Sequence, residues 1–334
     1  MNPKVILSSL SVLIVIIGVN FFFWTTPVTV NSSPANLPVL AITQIIEHPS
    51  LDQEREGIIQ ALNKAGYIDG KNIKIIYQNA QGNMATAAQI VTQLLSYKPK
   101  VMVAISTPSA QAALAPCLNQ KIPLVFTAVT DPLAAKLVKN ITARTESVTG
   151  VSDALAVSSQ IQLIKRIVPN IKTLGVIYNA GEENSTQMIL SLKTALATEN
   201  ITLIEATASK TSDITAAANT LIGKVQAIYI PNDNTAVAAI KSIALIAERH
   251  KLPLIAGDAG AVEMGAIATY GYDRRALGEK AADLIIQILQ GAEASALPIL
   301  TEHSLTTFIN MQAADRMGVI LPPDFIQSAK IIGK

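Results

Sequence analysis

The stretch VMVAISTPSAQAAL, residues 101–114, contains the pattern that decides the fold. Val101 to Ser106 is a short apolar run of the kind that forms a buried strand, and apolar residues recur at helical spacing from Ala110 to Leu118. A second apolar run, Leu124 to Val129, follows directly. Strand, helix and strand in this order predict a β-α-β unit, and therefore a parallel sheet with a right-handed crossover.

The same alternation extends in both directions along the chain. It predicts earlier strands at Val39–Ile46 and Ile73–Asn79, with helices at Leu51–Ala65 and Ala85–Tyr97. After Thr149–Asp153 a second series follows, with strands at Thr173–Asn179, Ile201–Thr207, Ala227–Pro231, Leu252–Ala256, Ala266–Tyr270 and Thr306–Asn310, and helices at Val157–Val168, Thr186–Glu199, Ile214–Leu221, Val237–His250 and Arg275–Gln290. Two series of comparable size predict an α/β protein with two doubly wound parallel-sheet lobes side by side.

Composition agrees with two lobes and excludes several classes of protein. The chain has 334 residues, of which half are apolar and 15% charged, so a sizeable core is available. The net charge is +2, and without Lys4 the remainder has 25 basic residues against 24 acidic ones, with no dense basic run. Nucleic acid is therefore not expected as a partner.

The first residues predict export. Residues 5–24 carry no charge and follow Lys4, which favours the cytoplasmic side, so the rest of the chain should cross the membrane. Because Phe21 to Trp24 end the run without a small-residue cleavage site, we favour an uncleaved membrane anchor over a signal peptide cleaved near Ser32 to Ala35, for residues 1–26. Residues 27–37 are rich in Pro, Ser and Asn and predict a flexible linker. The protein would then work in the periplasm or on the outer face of the cytoplasmic membrane.

No cofactor or metal is expected. The single cysteine, Cys117, has leucines nearby and is interpreted as a core residue. His48, His250 and His303 are far apart and lack metal-ligand spacing. The sequence has no nucleophile elbow, phosphate-binding loop, dinucleotide fingerprint or zinc-protease motif. Enzymes whose carboxylates carry no short signature remain an alternative.

Polar side chains recur where the predicted strands end, which is where a parallel α/β sheet binds ligands. Thr107 can cap the following helix with Pro108 at its first position, which would leave N–H and hydroxyl groups for a ligand carboxylate. At least one of the strand-end aspartates could receive a ligand ammonium group. The strand-end residues are Thr43, Gln44, Ser106, Thr107, Ser109, Thr127, Thr130 and Asp131 in the first series, and Asp153, Asn179, Asn232, Asp233 and Asp258 in the second.

Several long segments resemble the type I periplasmic solute-binding proteins of ABC transporters, in particular those similar to tryptophan and tyrosine uptake proteins. The matching segments, in order, are EHPSLDQEREGIIQAL from Glu47, YIDGKNIKIIYQNAQG from Tyr67, AISTPSAQAAL from Ala104, FTAVTDPLAAKLV from Phe126, TGVSDAL from Thr149, GVIYNAGEENS from Gly175, YIPNDNTAV from Tyr229 and YGYDRRALG from Tyr270. The resemblance covers about Val39 to Asp324.

The resemblance implies two lobes, joined by three hinge strands, that close over a small ligand and deliver it to a permease and an ATPase. Crossings near Thr149, Asp273 and His303 would assign residues 38–147 plus 274–303 to lobe 1 and 148–273 plus 304–334 to lobe 2. The motifs place Thr43, Gln44, Ser106, Thr107, Ser109, Thr127 and Thr130 on one jaw, and Asp153, Asn179, Asn184, Asn232, Asp233 and Asp258 on the other.

The resemblance favours an aromatic amino acid as ligand, with Tyr178, Tyr229 and Tyr270 as candidate wall residues. Arg274 and Arg275 replace the aromatic or hydroxyl-bearing pair expected there, and we interpret both as the solvated start of a helix. Two other functions stay open: a sensor module that acts on a membrane partner, and an enzyme on the same scaffold.

Overall fold

The computed structural model describes residues 37–141 and 147–333, and in them each predicted apolar run lies in one of two sheets. The first lobe begins with β1 (Val39–Gln44), α1 (Pro49–Lys64), β2 (Lys74–Asn79), α2 (Met84–Ser96), β3 (Val101–Ile105), α3 (Thr107–Gln120), β4 (Leu124–Val129) and β5 (Val148–Ser152). The second continues with α4 (Val157–Ile167), β6 (Thr173–Tyr178), α5 (Glu183–Thr198), β7 (Thr202–Thr207), a 3₁₀ turn (Thr211–Asp213), α6 (Ile214–Leu221), β8 (Ala227–Ile230), α7 (Asn234–Ala238), α8 (Ile240–Arg249), β9 (Leu254–Ala256), α9 (Ala259–Glu263) and β10 (Ala268–Gly271).

The chain then returns to each lobe once more. The first lobe receives α10 (Arg274–Leu289), a 3₁₀ turn (Ala294–Ala296) and β11 (Ile299–Thr301). The second receives β12 (Thr306–Ile309), α11 (Met311–Met317), α12 (Pro323–Gln327) and β13 (Lys330–Ile331). The chain therefore passes between the lobes after β5, after β10 and after β11.

The six-stranded sheet of the first lobe has the order β11-β5-β4-β3-β1-β2, and its neighbouring strands are parallel. The seven-stranded sheet of the second lobe has the order β13-β12-β10-β9-β8-β6-β7. In this sheet β12 runs antiparallel to β10. The reason is that the chain leaves the sheet at the carboxyl end of β10 and re-enters it at that same edge. The predicted fold class, two parallel-sheet α/β lobes, is confirmed.

The first crossing lies later than the sequence boundary at residue 147. Strand β5 pairs with β4 on one side and with β11 on the other, so the first sheet continues to Ser152. Apolar spacing alone could not assign this segment, because its sequence VTGVS is short and mixed. The return crossings fall near Asp273 and between Thr301 and Thr306.

The central strands are buried on both faces, which explains why they are continuous apolar runs and not alternating ones. Every residue of β3 and β4 is buried, as are five of the six residues of β1. Among the helices in the described residues, none is both long and apolar enough to cross a bilayer. The predicted anchor at residues 5–24 lies outside the described residues.

Helices α1 and α10 pack with their backbones in direct contact, and this contact fixes the start of α10. A methyl group added at Gly278 would lie 2.0 Å from the carbonyl oxygen of Glu54, and one added at Gly57 would lie 2.3 Å from that of Arg275. Both distances are far below van der Waals contact, so glycine is needed at both positions. The close approach brings Glu54 of α1 next to the first residue of α10.

We expect Gly278→Ala to destabilise the protein by about 1–3 kcal/mol, because the added methyl group must push the helices apart. Helix propensity alone favours alanine by about 1 kcal/mol, so the sign of the change tests the packing. Urea denaturation followed by circular dichroism measures it. Asp283→Ala, on the exposed face of the same helix, should change stability by about 0.5 kcal/mol or less. A Gly278→Ala variant as stable as the wild type would contradict the close contact.

Candidate functional site

The carboxyl ends of the parallel strands in both sheets face one cleft between the lobes. In each lobe the chain leaves the sheet for the other lobe at the end of a strand: after β5 and β11 in the first, and after β10 in the second. Helices that follow strands of these sheets therefore begin at the cleft, and their first N–H groups have no partner within the helix. The strand-end side chains consequently meet there, as the sequence predicted for a site of this kind.

A small cavity lies in this cleft. Its free volume is about 20 Å³, which is room for about one water molecule. Residues from both lobes contribute, and most of them are polar. The lining residues are His48, Leu51, Ala128, Thr130, Asp153, Asn184, Asn232, Asp233, Asn234, Val237, Asp258 and Arg274.

The guanidinium of Arg274 is buried among three carboxylates at this cavity. Its Nη1 donates to Asp153 Oδ2 at 2.6 Å and lies 3.5 Å from Glu54 Oε2, and its Nη2 donates to Asp258 Oδ2 at 2.8 Å. All four side chains are at most 3% exposed. Glu54 belongs to the first lobe, Asp258 to the second, and Asp153 to the first crossing between them, so a single side chain links both lobes and one crossing segment.

A second contact joins the lobes beside Arg274. The hydroxyl of Ser50, at the start of α1, donates to Asp258 Oδ1 and accepts from the backbone N–H of Gly260 at 3.1 Å. A methyl group added at Gly260 would lie 2.4 Å from the Ser50 Oγ, so the two helix starts meet without room for a side chain. At the rim, Gln53 Nε2 donates to Glu263 at 3.1 Å.

Burial and the charge of Arg274 set the protonation of this cluster. Burial raises the pKa of Glu54 to about 7, with Arg274 acting in the opposite direction. Burial also acts to raise the pKa of Asp258, but Arg274 and the hydrogen bond from Ser50 outweigh it, and this pKa lies below its usual range. Desolvation lowers the pKa of His48, with the charge of Asp258 acting in the opposite direction. In the second lobe, burial and the neighbouring Glu182 raise the pKa of Asp233.

On the first-lobe side, hydroxyl groups are buried without partners. Thr43 at the end of β1 and Ser106, Thr107 and Ser109 after β3 each have a buried side-chain oxygen with no hydrogen bond within the described part of the chain. Helix α3 begins at Thr107, and its N-cap is Ser106, one residue earlier than predicted. Ser106 has a φ of 89° and makes no side-chain cap bond, so the N-terminus of this 14-residue helix is left uncapped.

On the second-lobe side, the chain's own carboxylates satisfy the helix starts. Asp233 caps α7 through Ala236 N at 2.7 Å, and Asp258 caps α9 through Ala261 N at 3.2 Å. Glu182 also accepts from the backbone N–H groups of Asn234 and Thr235, both at 3.1 Å. Donors therefore remain free at the first-lobe wall and are occupied at the second-lobe wall.

The structure distributes the predicted site residues between the cavity wall and the surrounding network. Six of them line the cavity: Thr130, Asp153, Asn184, Asn232, Asp233 and Asp258. Four others are the first-lobe residues with unpaired hydroxyls: Thr43, Ser106, Thr107 and Ser109.

The remaining four predicted residues have partners within the protein. Gln44 bonds to Asp52 and Arg55, and Thr127 donates to Glu54. Asn179 bonds to Thr235, and Asp131 is exposed and caps the turn at Leu133 and Ala134. These side chains organise the polar surroundings and do not line the cavity.

The interpretation of Arg274 as a solvated helix start is wrong. Arg274 is buried at the cavity. Arg275 does have the exposure predicted for a solvated helix start, because it is 46% exposed in an ion pair with Glu56. No local pattern distinguishes two consecutive arginines. The available signal was the pair of acids Glu54 and Asp258, because a core cannot hold a charged acid without a partner. His48, Leu51 and Val237 were missed as well, because they lie at or within the first turn of a helix and not on strand ends. Asn234, two residues beyond Asn232 after β8, also lines the cavity.

The three candidate wall tyrosines do not line the cavity either. The hydroxyl of Tyr178 donates to Glu205 at 2.8 Å, and that of Tyr229 lies 3.3 Å from Gln160. The ring of Tyr270 packs edge-on against Phe325. Their aromatic character reflects packing of the second lobe.

We expect Arg274→Gln to lower the free energy of unfolding by about 3–5 kcal/mol, because it leaves buried carboxylates without their cation. Arg275→Gln is the matched control, and loss of its exposed ion pair should cost about 1 kcal/mol or less. Chemical denaturation of both variants at pH 7 gives the comparison. Equal losses in the two variants would contradict the role of the buried guanidinium.

Comparison with known proteins agrees with this architecture. The family model of ABC transporter substrate binding proteins matches residues 39–332. The tyrosine-binding protein of Clostridioides difficile is 40% identical over 271 residues, which cover 81% of this chain and 78% of that protein.

Two solved structures also match most of this chain. A conserved domain protein from Vibrio cholerae has a TM-score of 0.83 at 39% identity, and an ABC domain in complex with L-Trp from Streptococcus pneumonia has 0.84 at 29%. Each match covers 89% of this chain and 99% of the other. With its two lobes, three crossings and polar cleft, this chain belongs to the family of ABC transporter substrate-binding proteins.

Proposed function

We propose that this protein captures an aromatic α-amino acid, such as tyrosine or tryptophan, between its lobes and delivers it to the permease and ATPase of an ABC importer. Capture requires the lobes to part and close again, because the cavity of about 20 Å³ is far smaller than an amino acid. The three crossings between the lobes serve as the hinge. The two moving parts are residues 38–147 plus 274–303 and residues 148–273 plus 304–334, with the first boundary moved to Ser152.

The observation that carries the proposal is the group of unpaired hydroxyls at the carboxyl ends of β1 and β3 in the first lobe. Buried polar groups in native proteins have partners in the great majority of cases, so Ser106, Thr107 and Ser109 together call for an external one. Hydroxyl and N–H donors at the start of α3 suit an anion, and the helix dipole favours negative charge there. A ligand carboxylate fits this chemistry.

The aromatic class rests on the relatives and on the apolar part of the cavity wall. One relative is named a tyrosine-binding protein, and one similar structure contains L-Trp. Leu51, Ala128 and Val237 provide apolar surface at the cavity. An aromatic side chain gains from burial against such groups, and it does not need an aromatic partner to do so.

We further propose that the protein is exported and is held at the membrane by residues 5–24, as its first residues predict. Proteins of this family serve transporters and meet their ligands outside the cytoplasm. Intact-mass measurement of protein from native membranes distinguishes an anchor from a cleaved signal, since an anchored chain retains its first residues.

The ligand class can be tested by fluorescence, because Trp24 is the only tryptophan in the sequence. A protein that begins at Pro38 has none, so any indole emission must come from the ligand. We expect free L-tryptophan to shift its emission to shorter wavelength and to saturate at one per chain, with L-tyrosine and L-phenylalanine competing. Ribose is the control, and ligand recovered unchanged supports capture over conversion. Saturable binding of a sugar with none of these amino acids would contradict the proposal.

The carboxylate position can be tested with Ser109→Ala. We expect binding to weaken by about 1 kcal/mol or more, because a charge-assisted hydrogen bond is lost. Stability should not fall, since the buried Ser109 hydroxyl has no partner to lose. Calorimetric titration and thermal unfolding measure the two effects, with the exposed Ser96→Ala as control. Unchanged affinity in Ser109→Ala would remove this hydroxyl from the site.

A further inference from the structure

Four side-chain atoms of the cavity-lining residues are buried without a hydrogen bond in the described part of the chain: His48 Nδ1, Asn184 Oδ1, Asn232 Oδ1 and Arg274 Nε. Two of them, the amide oxygens of Asn184 and Asn232, belong to the second lobe and can accept but not donate. They are free acceptors in the second lobe, whereas the unpaired hydroxyls at the strand ends belong to the first lobe.

The orientation of the Asn184 amide is fixed by its neighbours. Its Nδ2 lies 2.7 Å from the carbonyl oxygen of Asn232, which can accept a hydrogen bond from the NH₂ group but would repel the amide oxygen. The same NH₂ group lies 3.3 Å from Glu182 Oε2 and from Ser185 Oγ. The side chain is 5% exposed, so Oδ1 is held at the cavity with no donor facing it.

The Asn232 amide is oriented by a carboxylate. Its Nδ2 lies 3.3 Å from Asp153 Oδ2, and a carboxylate oxygen can face the NH₂ group but not the amide oxygen. Oδ1 therefore points away from Asp153 and has no partner. The two asparagines are also linked to each other through the Asn184 bond to the Asn232 backbone.

The carboxylates predicted to bind an ammonium group are already engaged. Asp153 accepts from Arg274, Asn232 and Thr130, and Asp258 accepts from Arg274, Ser50 and Ala261. Asp233 accepts from Asn179, Ser185 and Ala236. Every oxygen of these three groups thus has at least one donor, whereas the two amide oxygens have none.

We propose that the amide oxygens of Asn184 and Asn232, with the Asp153 carboxylate beside them, receive the ammonium group of the bound amino acid. This assignment rests on the proposed function and names the residues that read the amino end of the ligand. It makes the two asparagines specificity-determining residues that distinguish an amino acid from the corresponding carboxylic acid.

Charge favours an ammonium group over a neutral donor at this place. Among the cavity-lining residues there are three acids, Asp153, Asp258 and Asp233, the last with a raised pKa, against the single guanidinium of Arg274. Glu182, which bonds Asn184, adds another acid nearby. An ammonium group brings three donors and a positive charge, and both are matched by two amide oxygens in a field of negative charge. A phenol or indole group would bring one donor and no charge.

The test compares ligands within each protein variant of the full chain. L-Tyrosine and 3-(4-hydroxyphenyl)propanoate differ by the ammonium group, and in the wild type we expect L-tyrosine to bind about 10- to 100-fold more tightly. In Asn184→Ala and in Asn232→Ala this ratio should fall by about fivefold or more. Because the ratio is taken within one protein, a general loss of affinity cancels. Asn219→Ala, at an exposed asparagine of the same lobe, should keep the wild-type ratio.

Two further arms keep the outcome decisive. Thermal unfolding checks each fold, and Asn184→Ser and Asn232→Ser replace any alanine variant that does not fold. L-Phenylalanine, which lacks the phenol hydroxyl, tests the other end of the ligand. The variants could change the preference for L-tyrosine over L-phenylalanine and leave the ratio of L-tyrosine to 3-(4-hydroxyphenyl)propanoate affinity unchanged. That result would mean that the asparagines contact the phenol, and it would overturn the assignment. An unchanged ammonium ratio in both variants would overturn it as well, while capture of the amino acid would stand. Absence of binding by both L-tyrosine and L-tryptophan would contradict the proposed ligand class together with this assignment.

Discussion

The buried guanidinium of Arg274 is the interaction on which the arrangement of the two lobes depends. Removing a cation and three carboxylates from water costs several kcal/mol for each ion, so the group is tolerable only when every charge has close partners. Arg274 meets this condition through bonds to Asp153 and Asp258 and through its nearness to Glu54. Hydrogen bonds from Thr127 to Glu54 and from Ser50 to Asp258 supply further partners, and within the described residues only Arg274 Nε and Glu54 Oε2 of this cluster are buried without a hydrogen bond. The cluster therefore requires a definite position of each lobe.

The packing of α1 against α10 behind the cluster holds its charged groups in fixed positions. Gly57 and Gly278 let α1 and α10 approach until their backbones touch, and this places Glu54 beside the first residue of α10. Arg274 then projects from lobe 1 toward acids that stand at the end of β9 and after β5. A packing requirement one helical turn from Arg274 thus determines the electrostatics of the cavity.

The sequence was sufficient to predict most of the fold and part of the site. Buried parallel strands are continuous apolar runs, so β1, β3, β4 and β6 were found within one or two residues, and the cleft followed from where they end. Strand β5 was assigned to the wrong lobe because its place depends on pairing with β11, about 150 residues later. Arg274 and Arg275 are identical in type and adjacent, yet one is buried and one exposed. That difference comes from tertiary contacts, which local patterns do not contain.

The two walls of the cleft have opposite hydrogen-bonding character, and this bears on how a ligand could drive closure. If the lobes part as proposed, the α1–α10 contact keeps Arg274 with Glu54. The bonds of Asp258 to Arg274 and Ser50 then break, together with those from Gly260 to Ser50 and from Gln53 to Glu263. Water then solvates the separated charges and offsets part of their attraction, so the ion pair determines the geometry of the closed arrangement more than its free energy. Unpaired hydroxyls and amide oxygens act differently, because each costs about 1–3 kcal/mol when it is buried without a partner. A ligand that supplies donors to one wall and acceptors to the other removes this cost only when both walls surround it. Such a ligand therefore binds the closed arrangement more tightly than the open one. This difference in affinity is what allows a ligand to shift the equilibrium between the open and closed arrangements toward closure.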